Sequence, residues 1–396
     1  MTEVTSPALH KSITLNRIIG KIKGDKPGPT MVFFGGIHGN ETAGIFALNQ
    51  VFGTLDAKDI SGNLFAITGN MAALKENKRY VNHDLNRLWF ESRITEIQSQ
   101  KSLNSEEAEL LELLKILHHI LETESGPFYF IDFHTTSSKT LPFITINDAL
   151  INRKFSMLFP VPIVLGIEEY LEGPLLSYIN ELGFVSLGFE SGQHDEKEAV
   201  TNCVAFIYLS LVYAKAMNPN TLINFPVYYR QLQEQSQYIN EAFEVVYLHR
   251  VKSEDHFKML PGFKSFEKIT NQTLLANDKK GAISSKYNAR IFMPLYQKMG
   301  VEGFFIIQPI KPFALKLSEL LRRIKFDNFL AILPGVSWQD KQKNVLLVNL
   351  KIAKFFAKSF FHLLGYRSQK VDATYLRLSN REHASKNGMY KTESWY

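Results

Sequence analysis

Cysteine is almost absent from this chain of 396 residues, because Cys203 is the single one. An internal disulfide is therefore excluded, which fits a protein of a reducing compartment. Cys203 lies in the apolar stretch TNCVAFIYLSLVYA. We interpret it as a small buried hydrophobic residue rather than as a nucleophile.

Long uncharged apolar runs are also lacking, since none reaches the roughly 18 residues of a membrane-spanning helix. The N-terminal sequence MTEVTSPALHKSITLNRIIG does not show the basic start, apolar centre and small-residue cleavage site of a secretory signal. We therefore expect a soluble cytoplasmic protein. Its hydrophobic content of 45%, with 30 Phe and 16 Tyr, indicates a folded globular chain rather than a disordered one.

Positive charge is concentrated in residues 311–396, which contain 16 Lys or Arg and six Asp or Glu, while the whole chain has a net charge of +6. No nucleic-acid-binding motif accompanies this charge, so we expect no nucleic-acid partner. Residues 316–326 and 344–366 read as helices, the second with Lys351, Lys354 and Lys358 on one side. Such a basic helix can contact a membrane surface, but packing against the protein's own core is the commoner role and the one we favour.

The segment that organises the chain is MVFFGGIHGNETAG, residues 31–44, in which an apolar strand leads into a glycine-rich turn carrying His38 and Glu41. The glycines allow turns that other residues avoid, so an imidazole and a carboxylate can converge there. Both are zinc ligands, and a catalytic zinc takes three protein ligands and keeps one position open. Alone, such a pair is more often incidental.

A third ligand candidate is His134, in FYFIDFHTTSS, because it also follows an apolar strand, residues 128–133. Two parallel strands ending side by side could share one ion, and this second histidine favours the metal site over the incidental interpretation. Asp132 lies two residues earlier, on the same face of the strand. It either orients the imidazole of His134 or makes a buried structural hydrogen bond.

A polar loop, KRYVNHDLNRLW at residues 78–89, contains Arg79, His83, Asp84, Asn86 and Arg87. Arginine binds carboxylates through two parallel hydrogen bonds and can stabilise a charged carbonyl oxygen. Two arginines beside a metal site therefore predict an anionic substrate. The alternative is a solvated loop with a structural Asp–Arg pair, and His83 has no strand-end position that would make it a ligand.

The segment GFVSLGFESGQHDEKEAV, residues 183–200, predicts a strand that ends at Glu190. A buried carboxylate with a raised pKa can take a proton from an activated water and pass it to a leaving nitrogen, so Glu190 is our candidate general base. The alternative is that Glu190 caps the next helix. His194 reads as a surface or cleft-rim residue rather than as a ligand.

The pattern along the chain predicts three regions: residues 1–224 as an α/β catalytic domain, 225–310 as a small β domain covering the site, and 311–396 as a basic helical extension with a disordered tail. Residues 104–122 predict an amphipathic helix capped by Asn104 or Ser105. His118 and His119 lie on that helix, but neighbours on a helix point about 100° apart, which argues against a shared metal.

These motifs together resemble those of the succinylglutamate desuccinylase and aspartoacylase family, a branch of the zinc carboxypeptidase clan. The resemblance covers roughly residues 30–310 and rests on GGIHGNETAG, RYVNHDLNRLW, DFHTT, FESGQH, PGFKSFEKI and IFMPLYQKMGVEGFFI, all in family order. It implies one zinc per chain, held by His38, Glu41 and His134. It also implies that Glu190 is the base.

The resemblance further implies that Arg79 polarises the scissile carbonyl and that Asn86 and Arg87 contact the substrate carboxylate. Tyr296 falls where the second domain of the aspartoacylases lends a tyrosine to the pocket. One departure concerns a further substrate-binding arginine that aspartoacylases carry shortly before the strand of the base. Residues 173–190 contain no arginine.

We therefore expect a zinc-carboxypeptidase-like α/β fold with a mixed sheet flanked by helices, an appended small β domain and a helical C-terminal extension. The expected activity is zinc-dependent hydrolysis of a small anionic N-acyl amino acid or related amide. A carboxypeptidase that trims peptides is the alternative within the hydrolases, and a non-catalytic binding or membrane-associated protein is the alternative from another class. A homo-oligomer is compatible with the sequence.

Overall fold

The computed structural model describes residues 1–396 except 223, 333, 340–344, 350, 352–363 and 371–374. Its helices are α1 Ala43–Phe52, α2 Met71–Glu76, α3 Glu91–Ser99, α4 Ser105–Thr123, α5 Leu150–Ser156, α6 Leu175–Glu181, α7 Lys197–Tyr213, α8 Phe225–Gln235 and α9 Pro312–Arg323. Its strands up to the end of the central sheet are β1 Thr2–Ser6, β2 Lys11–Leu15, β3 Ile18–Lys23, β4 Lys26–Gly35, β5 Ser61–Thr68, β6 Phe128–Thr136, β7 Phe143–Ile146, β8 Ile163–Leu165, β9 Val185–Gln193, β10 Ala242–Arg250, β11 Lys258–Met259, β12 Lys268–Ile269, β13 Leu274–Asp278, β14 Gly281–Ser284, β15 Ala289–Phe292 and β16 Glu302–Pro309. The remaining described strands are β17 Val336–Trp338, β18 Val345–Asn349, β19 Tyr366–Lys370 and β20 Tyr375–Asn380.

A mixed eleven-stranded sheet forms the centre of the molecule, in the order β12-β15-β16-β10-β8-β7-β9-β6-β4-β5-β3. Strands β5, β4, β6 and β9 run parallel to one another. Strand β7 is antiparallel to β9 and parallel to β8. Every residue of β6 is buried, as expected for a strand covered on both faces. The predicted mixed α/β fold is confirmed.

Helices cover both faces of this sheet because the apolar side chains of β4 alternate between them. Met31 and Phe33 contribute to the core beneath α1 and α7, while Val32 and Phe34 contribute to the core beneath α4. The predicted helix at residues 104–122 is confirmed as α4. Asn104 caps it, since its side chain accepts a hydrogen bond from the Glu107 amide and the Glu107 carboxylate accepts one from the Asn104 amide.

The strands after residue 240 continue the central sheet rather than forming a separate β body. Strand β10 pairs with β8 in parallel and β16 pairs with β10 antiparallel. Strands β11, β13 and β14 form a three-stranded sheet of their own. The predicted division at residue 225 therefore lies at the start of α8 and does not interrupt the sheet.

The C-terminal region contains one of the two predicted helices, since α9 covers most of residues 316–326. The second prediction is wrong where the structure describes it, because Val345–Asn349 is strand β18 in a sheet ordered β17-β18-β20-β19. Leu346 and Val348 are buried on alternate positions, the period of a strand, whereas we read the apolar run as helical. Lys354 and Lys358 lie outside the described residues.

The last 17 residues, predicted to be disordered, are packed against the sheet. Tyr390 is fully buried, and its hydroxyl donates to the carbonyl of Phe128 at 2.6 Å and accepts from the amide of Val185 at 3.0 Å. The Trp395 ring packs beside Tyr129 and Phe155. The prediction was wrong because the polar composition of this segment outweighed its few aromatic residues, which decide the packing.

Membrane-spanning character is not found in the described part of the chain, where none of the helices has both the length and the apolarity needed to cross a bilayer.

Candidate metal centre and its cleft

His38 and Glu41 lie in the turn between β4 and α1, and both side chains are buried. This turn needs glycine at two positions. Gly36 has a φ of 71°, which L side chains rarely adopt, and a Cβ on Gly39 would lie 2.1 Å from the carbonyl carbon of Ala73. The glycines thus let the turn fold back against α2 and direct both polar side chains to one point.

His134 lies near the end of β6, which pairs with β4 in parallel, so the two strand ends are adjacent. Its Nδ1 lies 2.9 Å from Glu41 Oε2, and His38 Nδ1 lies 2.8 Å from Glu41 Oε1. One ligand atom from each of the three residues lies within 4.8 Å of the others. The structure therefore brings together the three residues predicted as ligands, across nearly a hundred positions of sequence.

A carboxylate stands behind each histidine. Asp84 Oδ1 lies 3.1 Å from His38 Nε2, and Asp132 Oδ2 lies 2.7 Å from His134 Nε2. Metal-bound histidines commonly have such a partner, which fixes the ring orientation and increases the basicity of the ligand nitrogen. Asp132 therefore occupies the position expected of a residue that orients the imidazole of His134.

The donor set fits a zinc ion. Two imidazoles and a carboxylate bind zinc at about 2.0–2.2 Å, which places neighbouring donors of a tetrahedral site about 3.3 Å apart. The present separations of 2.8 and 2.9 Å need only a small outward shift. Although burial alone would raise the pKa of Glu41, His38 and His134 lower it well below its usual value, so this side chain is ionised, as a metal ligand must be.

Glu190 faces the cluster from β9, where it is the register partner of His134. Its side chain is buried, and among the described residues its Oε2 atom has no hydrogen-bond partner. Burial raises the pKa of Glu190 to about 8. A carboxyl group with these properties can accept a proton near neutral pH, whereas a carboxylate that merely capped α7 would be bonded to that helix.

Arg79 joins the cluster through two carboxylates. Its Nη2 lies 3.0 Å from Asp84 Oδ2, and its Nη1 lies 3.4 Å from Glu41 Oε1. The structural Asp–Arg pair considered from the sequence is therefore present, and it also holds the guanidinium at the edge of the cleft. Asp84 thus contacts both His38 and Arg79, a role that we did not assign from the sequence, although its place in the same loop as Arg79 was a usable signal.

Asn86 and Arg87 line the same cleft but already have protein partners. The Asn86 side-chain oxygen accepts a hydrogen bond from the amide of Leu175 at 2.9 Å. Arg87 Nη2 lies 2.9 Å from Glu302 Oε1, at the start of β16. Glu302 was not predicted, because only the pairing of β16 into the sheet brings it to this loop.

Tyr296 is the one predicted site residue that does not line the cleft. Its side chain is 40% exposed, and its hydroxyl donates to the carbonyl of Leu260 at 2.7 Å. Its neighbours Leu295 and Gln297 line the cleft instead. The resemblance located the correct segment, but the side-chain direction of a residue in a loop is not fixed by such an alignment.

The other histidines lie as the sequence suggested. His194 lies beside the cleft residue Thr135, with Nδ1 2.7 Å from Thr135 Oγ1, and burial lowers the pKa of His194. His118, on α4, contacts the hydroxyl of Tyr178, on α6, away from the cluster. His83 is exposed, and its backbone amide donates to Glu106. Within the described residues, the cluster of metal-binding groups consists of His38, Glu41 and His134.

The cleft next to the cluster has a volume of about 1000 Å³, including the part open to solvent. Its metal-side wall is formed by the residues described above. Most of the rest of the lining combines apolar residues with uncharged polar ones: Ile146, Ile167, Leu171, Pro174, Leu176, Met293, Leu295 and Phe305, and Thr135, Thr136, Ser137, Ser138, Thr145 and Asn147. Segment 293–302 closes one side of this cleft, so its residues restrict the size of the molecule that can enter.

Comparison with known families decides how this geometry is classified. Residues 27–178 match the model of the succinylglutamate desuccinylase/aspartoacylase catalytic domain. This part of the chain is similar to the catalytic domain of that family. The matched segment contains the three metal-cluster residues and the Arg79 loop, while Glu190 follows 12 positions after its end.

Curated members of the family align with part of the chain. The succinylglutamate desuccinylase of Serratia proteamaculans is 33% identical over 114 residues, which are 28% of this chain and 33% of that protein. The probable aspartoacylase of Acaryochloris marina is 29% identical over 164 residues, or 39% of this chain and 52% of that protein. The alignments thus span between a third and about half of the length of these family members.

Several solved structures share the fold. A succinylglutamate desuccinylase/aspartoacylase from Rhodobacter sphaeroides superposes with a TM-score of 0.56 and 15% identity, covering 74% of this chain and 88% of that one. The product-bound ectoine utilization protein EutE from Ruegeria pomeroyi gives 0.55 at 15% identity with the same coverage. At this level of identity the likeness concerns the architecture alone.

Proposed function

We propose that this protein is a zinc-dependent amidohydrolase that removes the acyl group from an N-acyl amino acid or a related amide. The observation that carries the proposal is the convergence of His38, Glu41 and His134 in a cleft where Glu190 faces them with an Oε2 atom that has no hydrogen-bond partner in the described part of the chain. The family match supports the same reaction, because its named members are a desuccinylase and an aspartoacylase. We further propose a cytoplasmic location, in keeping with the single cysteine.

Glu190 moves the proton in this proposal. A zinc ion held by the cluster would act as a Lewis acid that activates water and polarises the scissile carbonyl. Glu190 accepts a proton from the attacking water and passes it to the leaving nitrogen. Its raised pKa, about 8, supports this role because a base works best when its pKa lies near the working pH.

Arg79 stabilises the negative charge that develops on the carbonyl oxygen. Its guanidinium is held in place by Asp84 and lies at the edge of the cleft, so little reorganisation is needed when the charge appears. Asn86 and Arg87 hold the carboxylate of the amino acid. Arg87 then shares its guanidinium between Glu302 and the substrate, which its five N–H donors allow.

A small substrate is favoured over a peptide because segment 293–302 contributes to the cleft wall, where Gln297 contacts Asn40 and Glu302 contacts Arg87. An open groove at this side would instead favour a carboxypeptidase. In this proposal the ligand is a small N-acyl amino acid and not a nucleic acid. A homo-oligomer is compatible with the proposal.

A screen of N-acyl amino acids, read by release of free amine, tests the proposal. The full chain loaded with zinc should hydrolyse at least one compound, a chelator should abolish the reaction, and added zinc should restore it. Peptides with a free C-terminus, assayed in parallel, would reveal a carboxypeptidase. If neither class is hydrolysed by zinc-loaded protein, the enzymatic proposal is rejected, and salt-sensitive sedimentation of the intact chain with anionic vesicles would then favour the membrane-associated alternative.

A further inference from the structure

The far end of the cleft differs in character from the metal end. Among the described residues that line the cleft, the arginines are Arg79 and Arg87, and both lie at the metal end in contact with carboxylates. The wall beyond Glu190 has no positively charged residue in the part of the chain that the structure describes, and it combines the apolar Ile146, Ile167 and Leu176 with the uncharged polar Thr145 and Asn147. A negatively charged group at this end would therefore have no arginine to receive it and would lose its hydration there.

Glu168 lies at this far end and is 1% exposed. Its Oε1 atom lies 2.8 Å from Arg381 Nε and 3.5 Å from the amide nitrogen of Asp148. Its Oε2 atom has no hydrogen-bond partner among the described residues. A buried carboxylate oxygen without a donor is unfavourable, and such atoms in native proteins call for an explanation such as a ligand.

Arg381 fixes the position of this carboxylate. It follows β20 in the C-terminal region, outside the segment that matches the family model. Its Nη2 donates to Glu169 Oε1 at 2.8 Å and its Nη1 donates to the carbonyl of Tyr366 at 3.0 Å. Since the guanidinium occupies the side of Oε1, the Oε2 atom is the one left for a group in the cleft.

The distance from the reaction site limits the length of the substrate. Strands β9, β7 and β8 are neighbours in the sheet, Glu190 lies on β9, and Glu168 follows β8. Glu190 pairs with Phe143 of β7, whereas Leu165 of β8 pairs with Ile146, so two strand spacings and an offset of at least three residues along the strand separate the two sites, about 14 Å between backbone positions. Since both side chains line the cleft and take up part of this distance, an extended chain of about eight carbon atoms fits between them.

We propose that the end of the cleft at Glu168 is a substrate subsite that receives a hydrogen-bond donor, an amine, amide or hydroxyl group, at the far end of the acyl chain. This inference rests on the proposed deacylase function and specifies its substrate class. Oε2 accepts the donor, the apolar residues of the wall contact the intervening methylene groups, and Arg381 acts as a positioning residue. An acyl group that ends in a carboxylate is disfavoured, which agrees with the lack of arginine in residues 173–190.

Calorimetric titration of the zinc-loaded full chain tests the subsite without requiring turnover. The ligands are octanoate, 8-hydroxyoctanoate, 8-aminooctanoate and octanedioate, whose shared carboxylate can occupy the metal end. We expect the hydroxy or amino acid to bind about tenfold or more tightly than octanoate, and octanedioate to gain nothing over octanoate. Tighter binding of the amino acid than of the hydroxy acid identifies an ammonium group, and equal binding identifies a neutral donor.

The variant Glu168→Gln should invert this preference. In this variant the glutamine side-chain oxygen faces the Arg381 guanidinium, because only an acceptor is favourable there. The side-chain nitrogen then takes the place of Oε2, so a hydrogen-bond donor replaces an acceptor at the subsite. The preference for the hydroxy or amino acid should fall to within about twofold, while octanedioate binds more tightly than to wild type. Glu172→Gln, four positions away and exposed, is the matched control and should behave as wild type.

Equal binding of octanoate, the hydroxy acid and the amino acid to wild type overturns the subsite, as does an unchanged preference in Glu168→Gln. If Glu168→Gln does not fold, the wild-type series still decides. A donor preference found in a protein that hydrolyses no N-acyl compound rejects the proposed function and keeps the subsite. Hydrolysis of an N-acyl compound without any donor preference in binding rejects the subsite and keeps the proposed function.

Discussion

Glu190 and His134 face the same point from neighbouring strands, yet their replacement has different consequences. His134 offers a ring nitrogen to the cluster, whereas Glu190 is not one of the three residues whose ligand atoms converge. Loss of a ligand removes the metal, and loss of a base leaves the metal in place and removes proton transfer. Metal content and turnover measured on the same variants therefore separate the two roles.

Glu190→Ala should keep about one zinc per chain and lose turnover by about 10²- to 10⁴-fold or more, because proton transfer loses its acceptor. Zinc content is measured by atomic emission and turnover by amine release. Glu198→Ala, an exposed neighbour on α7, serves as the control and should be as active as wild type. Undiminished hydrolysis by Glu190→Ala would remove this residue from the mechanism.

His134→Ala should lose its zinc during dialysis, since two protein ligands hold the ion much less tightly than three. Folding is checked separately by circular dichroism, so that loss of metal is not confused with loss of structure. A normal zinc content in the folded variant would show that the ligand assignment is wrong.

Asp132→Asn tests the partner of His134, whose Nε2 lies 2.7 Å from Asp132 Oδ2. The amide still accepts a hydrogen bond but carries no charge, so zinc affinity should fall by about 10- to 100-fold while the ligands stay in place. Competition with a chromogenic chelator measures the affinity. An affinity equal to that of wild type would indicate that Asp132 has only a structural hydrogen bond.

At the residue scale, the sequence predicted the cluster because each member follows a buried strand, and parallel strands bring such positions to one edge of the sheet. His38, His134 and Glu190 were found in this way. Glu302, Glu168 and Arg381 were not, because their places depend on how distant strands pair. Tyr296 was assigned by resemblance alone, and its hydroxyl contacts Leu260 instead.

At the scale of elements, the tail after β20 packs through the aromatic residues Tyr390 and Trp395, and Tyr390 also forms hydrogen bonds. Tyr390 reaches the first residues of β6 and β9 through its hydroxyl, and its ring contacts Tyr129. The pattern of apolar residues predicted the buried strands and α4 correctly, since those segments are long and periodic. The same pattern gave the wrong prediction for β18, because a short apolar run fits both the helical and the strand period. It also gave the wrong prediction for the tail, where a few aromatic side chains decide the packing despite a polar composition.

Tyr390→Phe should lower the free energy of unfolding by about 1–3 kcal/mol, because the buried amide of Val185 and carbonyl of Phe128 lose their shared partner while the ring remains. Unfolding in urea measures the change. Tyr238→Phe, at a side chain that is 67% exposed, is the matched control and should have wild-type stability. Equal stability of both variants would mean that the two hydrogen bonds contribute nothing.

At the scale of the whole molecule, a buried ionic cluster joins the C-terminal region to the central sheet. Asp148, which follows β7, lies 2.6 Å from both Arg153 and Arg322, and Arg322 on α9 also contacts Glu382. Burial by itself would raise the pKa of Asp148, but Arg153, Arg322 and Arg381 lower it below its usual value. The cluster thus stabilises the folded protein only while Asp148 is ionised.

The pH dependence follows from the direction of this shift. A carboxyl group whose pKa is lower in the folded than in the unfolded state contributes stability above its unfolded pKa, about 4, and loses that contribution as the pH falls further. Asp148→Asn should therefore be less stable than wild type at pH 7, by about 3–5 kcal/mol, because the arginines lose their counter-charge. The difference should shrink steadily below pH 4, as urea unfolding at several pH values would show, and a constant difference would contradict the assignment.

The contact of Tyr390 with the beginnings of β6 and β9 has a consequence for biosynthesis. A ribosome releases the chain from the N-terminus onward, so the metal-cluster residues emerge long before the tyrosine that completes the hydrogen bonding beneath them. A nascent chain stalled before residue 390 would carry every cluster residue and still lack the donor and acceptor that close the two central strands. The hydrogen bonding at the start of β6 and β9 is therefore completed only after residue 390 has been made.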